Sequence, residues 1–227
     1  MKYSKGNMFL KKINNSKLII LLSTVIVVSI VYHILDGAVI NHTDLVEKQH
    51  ILYKKGSSSP FTGSVTGKKT GTLKNGMWVG HYSEFDDKGV LQAEKNFISG
   101  SLDGISKTYF ENGKIYEIGR YVKGIRQGKW KLYYRNGNLR SQGMFEDGYR
   151  SGIWTYYKEN ESLFMRGPHV KNLKSGIWEF FHKDGSIKGK GEFKSGLKQG
   201  NWKMYEVNGK LDQDLSGTYD KGVKSIP

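Results

Sequence analysis

Three stretches hold residue types that could do chemistry. Gly63-Ser64-Val65-Thr66-Gly67-Lys68-Lys69-Thr70 has the glycines and the lysine of a phosphate-binding loop. Such a loop needs four residues between its glycines, a Ser or Thr after its Lys, and a strand before and a helix after it. Here the spacing is one residue short and Lys69 stands where the hydroxyl belongs. The carboxylates Asp86 and Asp87, and Asp212 and Asp214, are close enough in sequence to share a cation, but they fall in turn-forming stretches where Asp is expected for backbone reasons. The six histidines (His33, His42, His50, His81, His169 and His182) show no metal-ligand spacing. Cysteine is absent, so thiolate nucleophiles, disulfides and thiolate metal sites are excluded. No G-x-S-x-G nucleophile elbow occurs either. The expectation is a protein that is not an enzyme, with no catalytic residue, cofactor or metal.

What the chain does hold is a period. Trp130, Trp154, Trp178 and Trp202 stand 24 residues apart, and Gly80, Gly104, Gly128, Gly152, Gly176 and Gly200 keep the same interval. Counting positions from that glycine, position 6 is aromatic throughout: Phe85, Tyr109, Tyr133, Tyr157, Phe181 and Tyr205. Position 12 is aliphatic, as in Leu139, Leu163 and Ile187. Position 10 is glycine in five units, among them Gly113, Gly137, Gly185 and Gly209, each after Asn or Asp. Position 18 is aromatic in most units.

Asn-Gly or Asp-Gly between short aromatic and aliphatic runs is a hairpin signal. Each unit therefore reads as two antiparallel strands and two turns, and six units as about twelve strands. A two-residue Asn-Gly loop would pair position 7 with 12, 5 with 14 and 3 with 16. Paired residues share a face. On that register Trp130 covers Gly143 and Trp178 covers Gly191, shielding strand glycines. Positions 5, 12 and 18 then join the Trp face, and the aromatics at position 6 point the other way. The fourth unit departs from the pattern, with Glu161 for the turn glycine, Pro168 in the second strand, His169 for the aromatic and Asn172 for the second glycine.

The fold expected is all-β: one elongated antiparallel sheet of 24-residue hairpin repeats, preceded by one transmembrane helix. Leu18 to Leu35 is an uncharged run of eighteen residues, about 27 Å as a helix and enough to cross a bilayer core. Five lysines precede it without an acid. This predicts a cytoplasmic N-terminus with the repeats on the outer side. The alternative is a cleaved signal peptide and a secreted product. The organisation expected is a basic tail over 1–17, an anchor over 18–35, a linker over 36–50 and a repeat domain over 51–227. Of the formal charge of +15, the five lysines carry a third, so the remainder is basic in its own right.

Gly143-Met144-Phe145-Glu146-Asp147-Gly148 followed by Gly152-Ile153-Trp154 resembles the MORN repeat (membrane occupation and recognition nexus). With Tyr133-Tyr134, Asn136-Gly137 and Leu139 ahead of it, the phrase is closer to the bacterial MORN-repeat variant typical of the YwqK-like antitoxin family. The resemblance covers roughly residues 51 to 224. It implies a binding or spacing scaffold, with an antitoxin or immunity role and a protein partner, a toxin, as its narrower form. The partners expected are that protein and, through the N-terminal helix, a membrane. Anionic lipid or wall polymer is the alternative, and nucleic acid is set aside because the aromatics recur at structural positions. The candidate partner-binding column is Tyr109, Tyr133, Tyr157, Phe181 and Tyr205. The structural residues are Trp130, Trp154, Trp178, Trp202, Gly113, Gly137, Gly185 and Gly209.

Overall fold

The structure is a computed structural model and describes residues 37–225. The basic tail and the apolar run 18–35 lie outside the described residues, among which no helix is long and apolar enough to cross a membrane. The chain divides after Val39 into two units, and the second, from Ile40 onward, holds the repeats.

Residues expected as linker contribute to the fold. Asn41 caps a short 3-10 turn over His42–Asp44 by accepting from the Thr43 N–H. Leu45–Lys48 then pairs with Ile51–Lys54 in a separate two-stranded sheet, so the single sheet expected is in fact accompanied by a second, small one. Ile40, Phe61, Val65 and Leu73 bury together, with Leu52 and Trp78 packed against them. This cluster closes the start of the repeat array. Its backbone is tied in by Leu52 N–H to the Gly76 carbonyl and Gly76 N–H to the Phe61 carbonyl.

The rest is an eighteen-stranded sheet in which successive strands pair antiparallel. The third repeat shows the pattern. Its strands Ile125–Tyr133 and Leu139–Glu146 pair with Trp130 opposite Gly143 and Leu132 opposite Ser141, the register expected. The turn differs. Tyr134 N–H donates to the Asn138 carbonyl and Gly137 N–H to the Tyr134 carbonyl, a three-residue loop with Gly137 at φ +94. Asn136 stabilises it by accepting from the Asn138 N–H. A type I turn closed by a left-handed glycine is the usual three-residue hairpin. It would shift the ladder by one residue, but a bulge between Leu132 and Tyr133 shifts it back. The same bulge recurs between Tyr156 and Tyr157 and between Phe180 and Phe181. Position 12 therefore pairs with position 6, as Leu163 with Tyr157, and lies opposite the Trp face instead of on it.

The second correction concerns the glycines at position 16. A Cβ built on Gly143 would overlap the Trp154 ring, one on Gly119 the Trp130 ring, and one on Gly191 the Trp202 ring. Each tryptophan covers the glycine of the preceding repeat, not the one opposite it within its own hairpin. The reason lies between repeats. Gln142 pairs with Thr155 and Met144 with Ser151, so Gly152, Ile153 and Trp154 bulge against Gly143 alone. Gly152 turns there with φ +61, and the following indole swings over its neighbour. Its N–H completes the contact: Trp154 Nε1 donates to the Met144 carbonyl, Trp178 to Pro168 and Trp202 to Glu192. Trp130 Nε1 is buried and finds no protein acceptor.

These contacts build a continuous core along one face. Trp130, Trp154, Trp178 and Trp202 are buried, and edge-to-face contacts run Tyr121–Trp130–Phe145–Trp154. At about 25 cal/mol per Å² and 150–250 Å² per ring, each indole contributes at most roughly 4–6 kcal/mol. On the turn edge, Asn112 donates to the Arg135 carbonyl and Asn136 to the Glu159 carbonyl, stitching each turn to the next.

Candidate functional site

The stretches that looked chemical take structural roles. Gly63–Thr66 and Lys69–Lys74 are paired strands, without the helix that a phosphate loop needs. The Lys68 N–H is used by His42 Nδ1, and the Lys68 ammonium pairs with Asp87. Asp86 accepts from the backbone N–H groups of Lys88 and Val90 within its turn, and Asp212 from that of Leu215. Among the described residues, no three His, Asp or Glu side chains gather as metal ligands.

The column at position 6 lies on the face opposite the tryptophans. Tyr109, Tyr133, Tyr157 and Tyr205 are half-buried, and Phe181 is buried beneath the Arg166 guanidinium. Tyr109 donates to Glu94, and burial together with that carboxylate pushes its phenol up to about 12. The Tyr157 and Tyr205 carbonyls receive Tyr134 Oη–H and His182 Nε2 from the repeats before them. This face carries matched charges, Lys107 with Glu94 and Arg166 with Glu179. It also exposes aliphatic side chains near the return turns, including Ile153 and Ile177. The turn glycines Gly113, Gly137, Gly185 and Gly209 all have positive φ.

The tryptophan face holds a feature that sequence reasoning missed. A cation lies over each of the four repeat indoles: Arg126 over Trp130 at 4.4 Å, Arg150 over Trp154 at 4.7 Å, and Lys174 over Trp178 and Lys198 over Trp202, each at 4.5 Å. The signal was present as a basic residue four positions before every repeat tryptophan. Where the second repeat has Ser106 for Trp, residue 102 is Leu, so cation and ring are lost together. Arg126 is neutralised by Glu117 at 3.2 Å. Arg150, Lys174 and Lys198 have no carboxylate within ion-pair distance among the described residues, and burial lowers the Lys174 pKa.

The irregular fourth repeat sits inside this row. Pro168 stays paired opposite Ile153, and Asn172 takes φ +71 in the turn. His169 is buried between Trp154 and Trp178. Its Nδ1 donates to the Asn172 carbonyl at 2.9 Å, which leaves Nε2 to accept from Tyr156 Oη at 3.0 Å. Burial, with Arg150 and Lys174 nearby, lowers its pKa and so favours the neutral ring.

The arrangement defines a repeat scaffold: a hairpin array with a row of cations over the aromatics of one face. The family description "MORN repeat variant" matches three segments, residues 102–123, 126–147 and 174–195, leaving out the repeat that contains Pro168 and His169. No curated protein matches the chain. One similar solved structure is titled "Crystal structure of GtfA/B complex bound to UDP and GlcNAc". It is 13% identical over 49% of this chain, has a TM-score of 0.22, and is spanned over only 22% of its own length.

Proposed function

We propose that the chain is a membrane-anchored, non-enzymatic repeat scaffold that binds another protein. The observation that carries this reading is the regular two-faced hairpin array, whose repeats present the same side chains at fixed intervals. Such arrays bind through extended surfaces. The run Leu18 to Leu35 serves as the anchor, with the lysines before it on the cytoplasmic side and the repeats outside. The MORN-variant match supports the scaffold role; the immunity-like partner acting in the envelope rests on the likeness of the repeat phrase to the YwqK-like antitoxins alone. The column Tyr109, Tyr133, Tyr157, Phe181 and Tyr205 is part of the proposed contact surface.

The test is affinity capture with the intact chain in detergent, followed by identification of what co-purifies and reconstitution with that protein. Binding that survives purification and weakens in Tyr157→Ala supports the reading. A reporter fused after Pro227 that is active only in the cytoplasm overturns the topology. A second reading, a scaffold on anionic lipid or wall polymer, draws on the unpaired cations Arg150, Lys174 and Lys198. It predicts vesicle or polymer binding that salt abolishes.

A further inference from the structure

The cations above the tryptophans form a row with one member per repeat. Position 23 of each unit pairs with position 18, as Arg150 with Phe145 and Lys198 with Phe193, so the row shares the tryptophan face. In the third to fifth repeats the inward positions of that face hold aromatics, aliphatics, small residues and His169, and no carboxylate. The acids of these repeats lie on the opposite face or in the turns, where Glu179 already serves Arg166 and Lys190. The two faces therefore differ in charge: one mixes acids with bases, and the other carries only positive charge from Arg150 to Lys198. The rings beneath the row are buried and the three cations above them half-buried, so the cations are the part of the row open to a ligand.

Strands in a sheet lie about 4.8 Å apart, so a two-strand repeat places successive cations roughly 9.5 Å apart. A peptide in polyproline II conformation rises about 3.1 Å per residue with three residues per turn, which repeats one side roughly every 9.3 Å. Acidic residues at every third position of such a segment fall in phase with the row. Arg150, Lys174 and Lys198 span two steps, which is seven residues. At about 20–25° per strand the sheet turns the row through roughly 80–100° over these two repeats, so the segment must wind with the sheet to keep all three contacts.

We propose that the tryptophan face binds an extended, proline-rich segment of a partner protein that carries Asp or Glu at every third position. Its carboxylates would pair with Arg150, Lys174 and Lys198. This rests on the protein-binding reading above, adds to the tyrosine column a second contact on the opposite face, and names the chemistry of the segment that makes it. Guanidinium and ammonium groups already held by the indoles lose little freedom on pairing, which favours affinity. The fixed interval gives selectivity over unphased anions.

The experiment uses the full chain in detergent micelles and fluorescence anisotropy. The probes are a labelled Glu-Pro-Pro-Glu-Pro-Pro-Glu peptide and an isomer of equal composition with its three Glu clustered. The phased peptide should bind roughly tenfold more tightly than the isomer. The combined Arg150→Gln, Lys174→Gln and Lys198→Gln variant should lose that preference, since Gln keeps part of the stem over each ring. Lys129→Gln, Lys131→Gln and Lys203→Gln together remove the same charge from the other face and should leave it intact. Tryptophan fluorescence verifies that both variants keep the ring row. Equal binding of the two peptides, or none, overturns the proposal. So does row-dependent binding of polyphosphate or phosphatidylserine vesicles without the peptide. If captured protein binds the intact chain but the phased peptide does not, this inference fails while the protein-binding reading stands.

Discussion

The Trp154 indole lies on Gly143 of the repeat before it and donates its N–H to the carbonyl of the next residue, Met144. One side chain thus closes the junction between two hairpins both by packing and by a hydrogen bond. The array is held together across repeats at the same points where its core is made.

Gly143→Ala should destabilise by about 1–3 kcal/mol, because the new methyl overlaps a ring with no room to retreat. A double-mutant cycle identifies the partner. Coupling of Gly143→Ala with Trp154→Ala should lie in the range of about 0.5–3 kcal/mol, and that with Trp130→Ala near zero. Urea denaturation measures both. The opposite ranking would restore the cross-strand pair as the contact.

The indole hydrogen bonds differ between repeats. Trp154→Phe leaves the Met144 carbonyl without its donor, whereas Trp130 has no acceptor to lose. Trp154→Phe should therefore cost about 1–2 kcal/mol more than Trp130→Phe. Equal costs would show that the N–H contributes nothing to the junction.

The two aromatic columns should separate by stability. Trp178 is fully buried and Tyr157 half-buried. Trp178→Ala should cost about 3–5 kcal/mol, and Tyr157→Ala clearly less. Matched losses in thermal melts would place both columns in the core.

His169 gives a pH dependence. Its folded pKa lies below the ordinary value of 6.5, so below that value the unfolded chain binds the proton more readily than the folded one. The His169 contribution is fully present above pH 6.5 and is lost as pH falls toward the folded value. His169→Phe, which restores the ring found in Phe145 and Phe193, should not show that loss. Stability of the two proteins, measured between about pH 5 and 8, should diverge toward acid. Parallel curves would place the histidine outside the linkage.

The strands, their order and the Trp130–Gly143 register were legible because the 24-residue period repeats the same apolar alternation six times. The turn was read as two residues where it is three, and the register survived because the bulge beside Tyr133 takes back the residue that the loop adds. Two departures that cancel leave no trace in the pattern. The partner of each glycine was misassigned for a related reason: pairing within a hairpin follows from turn length, whereas the bulge at Gly152 belongs to the junction between hairpins. The cation over each tryptophan was visible as a basic residue four positions earlier. In a chain so rich in lysine, it did not stand out until the rings were placed.

The junctions also determine how the array responds to force. Strands run across the direction in which repeats follow one another, so tension between the two ends pulls hydrogen-bonded pairs apart in sequence, not all at once. Each Trp–Gly contact is then a separate catch. Release of one 24-residue repeat frees about 80 Å of extended chain. The repeat domain would yield in steps of that length under low loads, and would re-form from the hairpins that remain.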